Sequence, residues 1–363
     1  MRATGSGDDN AAGVTYGRGM DRILLVLSFV LLASPAAAEF QAATRTHAPE
    51  LKPPAQQAGA GIHGWALVCV SVKADGTVSD ARVIDVSPNP EFAEAGRKAA
   101  LGWKFRPARL DGEPVDSSNV CGLQVFTLAT APSEKTQEKL AEVASLVDAE
   151  EYDEARRKVG DLAEEGPLTL AQAAQLQLLE SRIAADDGEQ AKVIDAIERA
   201  TVARGRFLSG EALATALGAR FAGLAHQRRY GEALELYQQF EKIEGGAKPM
   251  VVHGKANEEI RKLAKGDQSF VVSAELEPAL AAEGGVWRHR PLRRELGARK
   301  LEGKLDAIVI DCDLRTMRLD YAEEVSWRIP DSWGRCTVYA EGEPGTTFDL
   351  LEYGPEPVAG ADD

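Results

Sequence analysis

The chain has 363 residues, 44% of them hydrophobic, and carries 57 acidic against 42 basic side chains for a formal net charge of -15. That apolar share is enough to bury cores in two or three domains. The acidic balance excludes nucleic acid as a partner and excludes attachment to acidic lipid through a basic patch.

Residues 1–38 read as an export signal with an upstream extension. Arg18 and Arg22 flank Met20, residues 23–33 are apolar, and Ala36-Ala37-Ala38 supplies the small residues of a cleavage site. The apolar run is about half of the ~20 residues a spanning helix requires. Cleavage after Ala38, no stable membrane insertion afterwards and a soluble periplasmic product are therefore expected, with retention as an inner-membrane anchor as the alternative. Residues 39–61, with Pro49, Pro53 and Pro54, read as a tether.

The next stretch has the pattern strand, strand, helix, strand. Residues 65–72 place Ala66, Val68, Val70 and Val72 on one side of a pleat, and Asp75-Gly76 signals a hairpin into a second strand over 78–86. Pro88 and Pro90 end that strand, after which Phe92, Ala95, Ala99 and Trp103 recur at helical spacing. A last strand is expected over 120–128, following a turn at Asp111-Gly112.

Three motifs punctuate this stretch: Asp75-Gly76-Thr77-Val78, Trp103-Lys104-Phe105-Arg106-Pro107-Ala108 and Asp111-Gly112-Glu113-Pro114-Val115. In this order they resemble the C-terminal domain of the TonB family, over residues 62–130. The resemblance makes Trp103, Phe105 and Pro107 family-motif residues. It also implies a final strand at the sheet edge that receives a short peptide from an outer-membrane receptor or another envelope protein. By that resemblance the partner contact falls on Gln124, Val125, Phe126, Thr127 and Leu128, through strand addition. Energy transducers of the family reach across the periplasm on a long Pro-rich spacer from a membrane anchor. Residues 39–61 are short by that measure, so an adaptor is the expectation and an anchored transducer the alternative.

Residues 133–266 turn to Ala, Glu, Leu, Lys and Arg at helical periodicity. Three helix pairs can be read, with second helices starting near Glu151, Asp187 and Arg229, a repeat of about forty residues. The spacing resembles degenerate tetratricopeptide repeats and implies a scaffold for a second partner. Over 269–355 the alternation returns to period two, in runs at 270–276, 286–292, 305–311, 316–321, 325–329, 336–341 and 347–353. This predicts a small antiparallel sandwich or barrel, followed by a tail over 356–363. The fold class is α+β and multidomain.

Of the four cysteines, Cys69 and Cys121 fall in the first β region and Cys312 and Cys336 in the second, a distribution that suggests two disulfides in an exported protein. The TonB-like topology places Cys121 on a strand antiparallel to that of Cys69, so Cys69–Cys121 and Cys312–Cys336 are the expected pairs. His47, His63, His226, His253 and His289 show no metal spacing, and Asp311-Cys312-Asp313 departs from a calcium loop at Arg315. No nucleophile elbow, Walker loop or dinucleotide fingerprint occurs. No catalytic residue, cofactor or metal ligand is assigned, and the chain reads as a binding protein rather than an enzyme. Trp287, His289, Arg290, Arg293 and Arg294 form a basic, aromatic stripe, read as alternation along a solvated strand with an anionic-ligand site as the alternative. Trp327 and Trp333 read as core or rim packing, with a sugar site as the alternative.

Overall fold

The computed structural model describes residues 39–128, 134–164, 167–202, 207–208, 210–321 and 326–354. The expected signal segment 1–38, residues 129–133 and the tail 356–363 lie outside the described residues.

The first part contains β1 (Phe40–Gln41), β2 (Thr44–His47), α1 (Ala55–Gly59), β3 (Gly64–Val72), β4 (Val78–Ser87), α2 (Glu91–Leu101), β5 (Lys104–Arg106), β6 (Ala108–Leu110), β7 (Glu113–Val115) and β8 (Ser117–Phe126). Its main sheet is antiparallel in the order β4-β3-β8. Ala66, Val68, Val70 and Val72 are buried on one face, as the alternation predicts, and α2 covers them. The buried face of the helix centres on Phe92, Ala93, Gly96 and Ala100, rotated from the expected one, although Ala95 still packs half-buried on the same core and Trp103 belongs to it. Close approach causes the rotation: a Cβ on Gly96 would lie 2.6 Å from that of Ala66, so the glycine seam seats against the sheet. Trp103 lies past the end of the helix and packs from the following loop, fully buried.

Residues 39–61 are not a tether. β1 pairs with β6 and β2 with β5, while Ala43 and Leu51 pack on the same core as α2. All four side chains of β2 are exposed, so its backbone pairing leaves no hydrophobic alternation to read.

Among the described residues, the α-helices that follow are α3 (Glu134–Asp148), α4 (Tyr152–Glu164), α5 (Leu170–Asp186), α6 (Gln190–Ala200), α7 (Gly210–His226), α8 (Tyr230–Tyr237) and α9 (Ala247–Lys265). Three antiparallel hairpins share one turn. The N–H groups of Glu151, Glu189 and Arg229 each donate to the carbonyl five residues back, on Leu146, Ala184 and Leu224, at 2.9 Å. The preceding residues Glu150, Gly188 and Arg228 take positive φ of 60°, 74° and 59°. This is the Schellman closure of a helix, which satisfies its last carbonyls and reverses the chain. The second helices α4, α6 and α8 thus start where the sequence placed them. Thr169 caps α5 in a reciprocal box with Gln172.

The last part is a two-sheet sandwich of β9 (Phe270–Glu275), β10 (Glu277–Pro278), β11 (Gly285–His289), β12 (Glu295–Glu302), β13 (Leu305–Cys312), β14 (Thr316–Leu319), β15 (Ser326–Arg328), β16 (Cys336–Gly342) and β17 (Thr347–Glu352). One sheet runs β10-β11-β16-β13-β14 and the other β15-β12-β17-β9. Val272, Leu296, Ile308, Ile310, Val338 and Leu350 form the core between them. Sequence alternation misses β12, because a bulge between Arg299 and Glu302, with Lys300 at φ 54°, breaks its period.

The three parts pack on one another. Trp65, on the outer face of the first sheet, is buried with Leu170 and Val202 of the helical part. Arg82 of β4 bonds Glu341 at 2.9 Å and stacks 4.0 Å from the Tyr339 ring of the sandwich.

Candidate functional site

β8 lies at an edge of its sheet. Its register against β3 runs from Gly64↔Phe126 to Val70↔Val120 and includes Cys69↔Cys121. The Cα atoms of that cysteine pair are 3.9 Å apart, the close spacing of a non-hydrogen-bonded pair. The N–H and C=O groups of Cys121, and by alternation of Leu123 and Val125, therefore point away from β3. Among the described residues, no backbone bond joins these outward N–H groups to another element. The start of the strand is closed off instead. Ser118 N–H donates to the Asp313 carbonyl at 3.1 Å, and the Asn119 side-chain amide donates to the Asp311 carbonyl.

The side chains along this edge are committed to the fold. Gln124 donates from Nε2 to the Gly96 carbonyl at 2.6 Å, and Phe126 packs 5.3 Å from the Phe92 ring. Leu123 and Val125 face the other way and pack beside Trp65 against the helical part. Thr127 and Leu128 lie beyond the end of the strand, where Leu128 N–H donates to His63 Nδ1 at 3.2 Å. Of the five residues singled out in the sequence, 124–126 are thus in the edge strand and 127–128 follow it.

The family-motif residues brace the strand from beneath. Trp103 lies against β8 at Gly122, where a Cβ would come within 2.8 Å of its ring, and the Arg45 guanidinium covers the ring at 4.5 Å. Phe105 meets Trp103 edge-on at 6.2 Å, and its N–H donates to the Gly76 carbonyl at 2.9 Å. Pro107 lies beside that same glycine, so the hairpin turn docks on the motif segment. Asp75 accepts from the Thr77 N–H and hydroxyl, which lowers its pKa. Asp111 and Gly112 both take positive φ, as a tight hairpin turn requires.

Both expected disulfides are present, Cys69–Cys121 and Cys312–Cys336. Their sequence separations of 52 and 24 correspond to about 4 and about 3.5 kcal/mol in the chain-entropy treatment. Asp311 and Asp313 serve protein donors: Asp311 accepts from the Thr316 hydroxyl at 2.6 Å and Asp313 from the Arg335 N–H at 2.9 Å. Burial raises the Asp311 pKa, and the hydroxyls of Thr316 and Ser118 work against that rise. Among the described residues, no three His, Cys, Asp or Glu side chains converge as a metal site would require.

The basic stripe is not a solvated strand. His289 is fully buried, with Nε2 2.7 Å from Glu352 Oε1 and Nδ1 3.6 Å from Glu232 of α8. Arg293 is buried too, donating to the Leu263 carbonyl at 2.6 Å, and Arg290 pairs with Glu235. Period-two alternation marks two faces, and here the second face meets the helical part instead of water. Trp327 is buried in the sandwich core and Trp333 packs against it. Sequence reasoning missed Leu123 and Asn119; the positive φ of 56° at Asn119 marks an irregular strand start, and an Asn in that place was the available signal.

Residues 49–120 match the family model described as Gram-negative bacterial TonB protein C-terminal. Among solved structures, the chain is similar to the solution NMR structure of the Pseudomonas aeruginosa TonB CTD, at 21% identity and a TM-score of 0.22, over 24% of this chain and 89% of that one. No curated protein matches the chain. The family match ends within β8, and the helical hairpins and the sandwich lie outside it.

Proposed function

We propose that the protein is a periplasmic adaptor that captures an extended segment of an envelope protein or outer-membrane receptor by strand addition to β8, and that it acts by binding rather than catalysis. The observation that carries this reading is the outward-facing backbone of Leu123 and Val125 on an edge strand, within a unit that matches a TonB C-terminal family model. The three repeated hairpins, read as degenerate tetratricopeptide-like repeats, are the scaffold for a second partner. The two disulfides fit an exported chain.

The test exploits the alternation of the edge. Val125→Pro removes an outward donor without breaking a bond to β3, whereas Gln124→Pro removes an inward one and should unfold the unit. A photo-crosslinker at Thr127, which is exposed, should trap envelope partners in cells; Val125→Pro should cut that yield at least tenfold, and Arg106→Ala should leave it unchanged. Undiminished crosslinking by a folded, disulfide-bonded Val125→Pro protein refutes strand addition at this edge.

A further inference from the structure

A cavity of about 200 Å³ lies where the three parts meet, bordered by the Cys69–Cys121 disulfide, α7, α8 and the facing strands β11 and β16. Four arginines line it: Arg220, Arg229, Arg288 and Arg290. Three of them have carboxylate partners. Glu198 lies 3.4 Å from both Arg220 and Arg229, Glu232 Oε1 takes Arg229 at 3.0 Å, and Glu235 takes Arg290. The second oxygen of Glu232 faces His289 at 3.6 Å.

Arg288 has no carboxylate partner among the described residues, although it lies in the cavity wall. The Nε of Arg220 is buried and meets no hydrogen-bond acceptor. Four guanidinium groups are therefore set against three carboxylates, in a chain whose net charge is -15. Burial lowers the pKa of Arg290, with Glu232 opposing and Arg335 adding to the effect. Burial pushes Glu198 upward, but Arg220, Arg229 and Arg288 outweigh it and hold its carboxyl below the ordinary value.

We propose that this cavity binds a small oxyanion, a phosphate or a short carboxylate, with Arg288 and the free Nε–H of Arg220 as its principal donors. A guanidinium offers a planar fork matched to two oxygens of such a group. Drug-sized ligands occupy roughly 300–1,000 Å³, so the volume restricts the occupant to a few heavy atoms. Access is available along the disulfide, where Cys121 is exposed, and past Glu235, whose side chain is 44% exposed. The cavity adjoins the β8 edge at Cys121 but does not include Leu123 or Val125, so the Arg288 variants, which leave β8 untouched, test it apart from strand capture.

Thermal unfolding and isothermal titration of the full chain test it, with sodium phosphate, sodium succinate and sodium chloride compared at one ionic strength. A saturable rise in Tm with phosphate or succinate, absent in chloride, is expected, and a single site by titration. The arm that saturates at lower concentration distinguishes phosphate from carboxylate. Arg288→Gln should abolish the rise, and Arg288→Lys, which keeps the charge but loses the fork, should weaken binding at least tenfold. Equal shifts in all three salts, no shift in any, or undiminished binding by both variants would overturn the proposal. Should Arg288→Gln fail to fold, the titration of Arg288→Lys decides alone.

Discussion

Asp85 gives the sharpest thermodynamic test of how the first sheet meets the helical part. It lies on β4, opposite Leu67, and its Oδ1 accepts from the Val86 N–H at 2.7 Å. Burial raises its pKa to about 6; the Val86 bond and Arg199 oppose the rise, and Asp195 and Glu198 add to it. An unfolded aspartate titrates near 3.9, so the native state holds this proton more tightly by about two units, or about 3 kcal/mol at 1.36 kcal/mol per unit. The sign follows from linkage. Between pH 4 and 6 the native state binds more protons than the unfolded chain, so this group's contribution to stability falls as pH rises; above pH 6 the whole cost is present, and below pH 4 it vanishes. Asp85→Asn keeps an acceptor for Val86 and removes the charge. Because the residue is only half-buried, water shares part of the cost, and a gain of about 1–3 kcal/mol is expected at pH 7.5. Urea unfolding at pH 4 and pH 7.5, with both disulfides intact, measures it. The variant should match the wild type at the lower pH and exceed it at the higher one. A loss of stability at pH 7.5, or an equal change at both values, would refute the reasoning.

Glu198→Ala leaves Arg220 and Arg229 without the carboxylate they share, and about 3 kcal/mol should be lost in urea unfolding, since removing one partner of a buried ion pair strands the other charge. A loss under about 1 kcal/mol would mean that water reaches the cluster and screens it. Gly122→Ala sets a methyl 2.8 Å from the ring of fully buried Trp103 and should cost about 1–3 kcal/mol. Gly160→Ala, within α4 and with nothing within 4 Å of the added carbon, should instead gain up to about 1 kcal/mol. Thermal melts of the two glycine variants must therefore move in opposite directions.

The sequence displays what local chemistry determines. The alternation of Ala66, Val68, Val70 and Val72, the turn at Asp75-Gly76 and the starts of α4, α6 and α8 all arise from contacts or dihedrals within a few residues, so periodicity and turn residues reveal them. What stayed hidden depends on neighbours far along the chain. β2 is held by backbone pairing to β5, with every side chain exposed, so nothing in its composition announces a strand. The orientation of α2 is set by Gly96 meeting Ala66 across the sheet, which a helical wheel cannot anticipate. The stripe at 287–294 alternates as a half-solvated strand does, and only the arrival of α8, with Glu232 and Glu235, turns its polar face into a buried junction. At the candidate site the family motifs point to β8, while the register that identifies Leu123 and Val125 as outward donors comes from the Cys69–Cys121 pairing.

That register has a consequence for what the edge can select. Both faces of β8 are covered, with Gln124 and Phe126 under α2 and Leu123 and Val125 against the helical part, so its side chains offer a partner little free surface. Recognition by an added strand then divides in two. Main-chain bonds to the outward N–H and C=O groups give affinity with little regard to sequence. Side chains of the incoming strand alternate between the α2 side and the hairpin side of the sheet, because successive residues of any strand do. Selectivity must therefore come from the elements that border the edge. Ser118 and Asn119, held to Asp313 and Asp311 of the sandwich, also limit how far an added strand extends toward the start of β8. If β8 captures a strand as proposed, the partner segment is expected to be short, spanning the outward groups from Cys121 to Val125, and lengthening it past Cys121 should add no affinity.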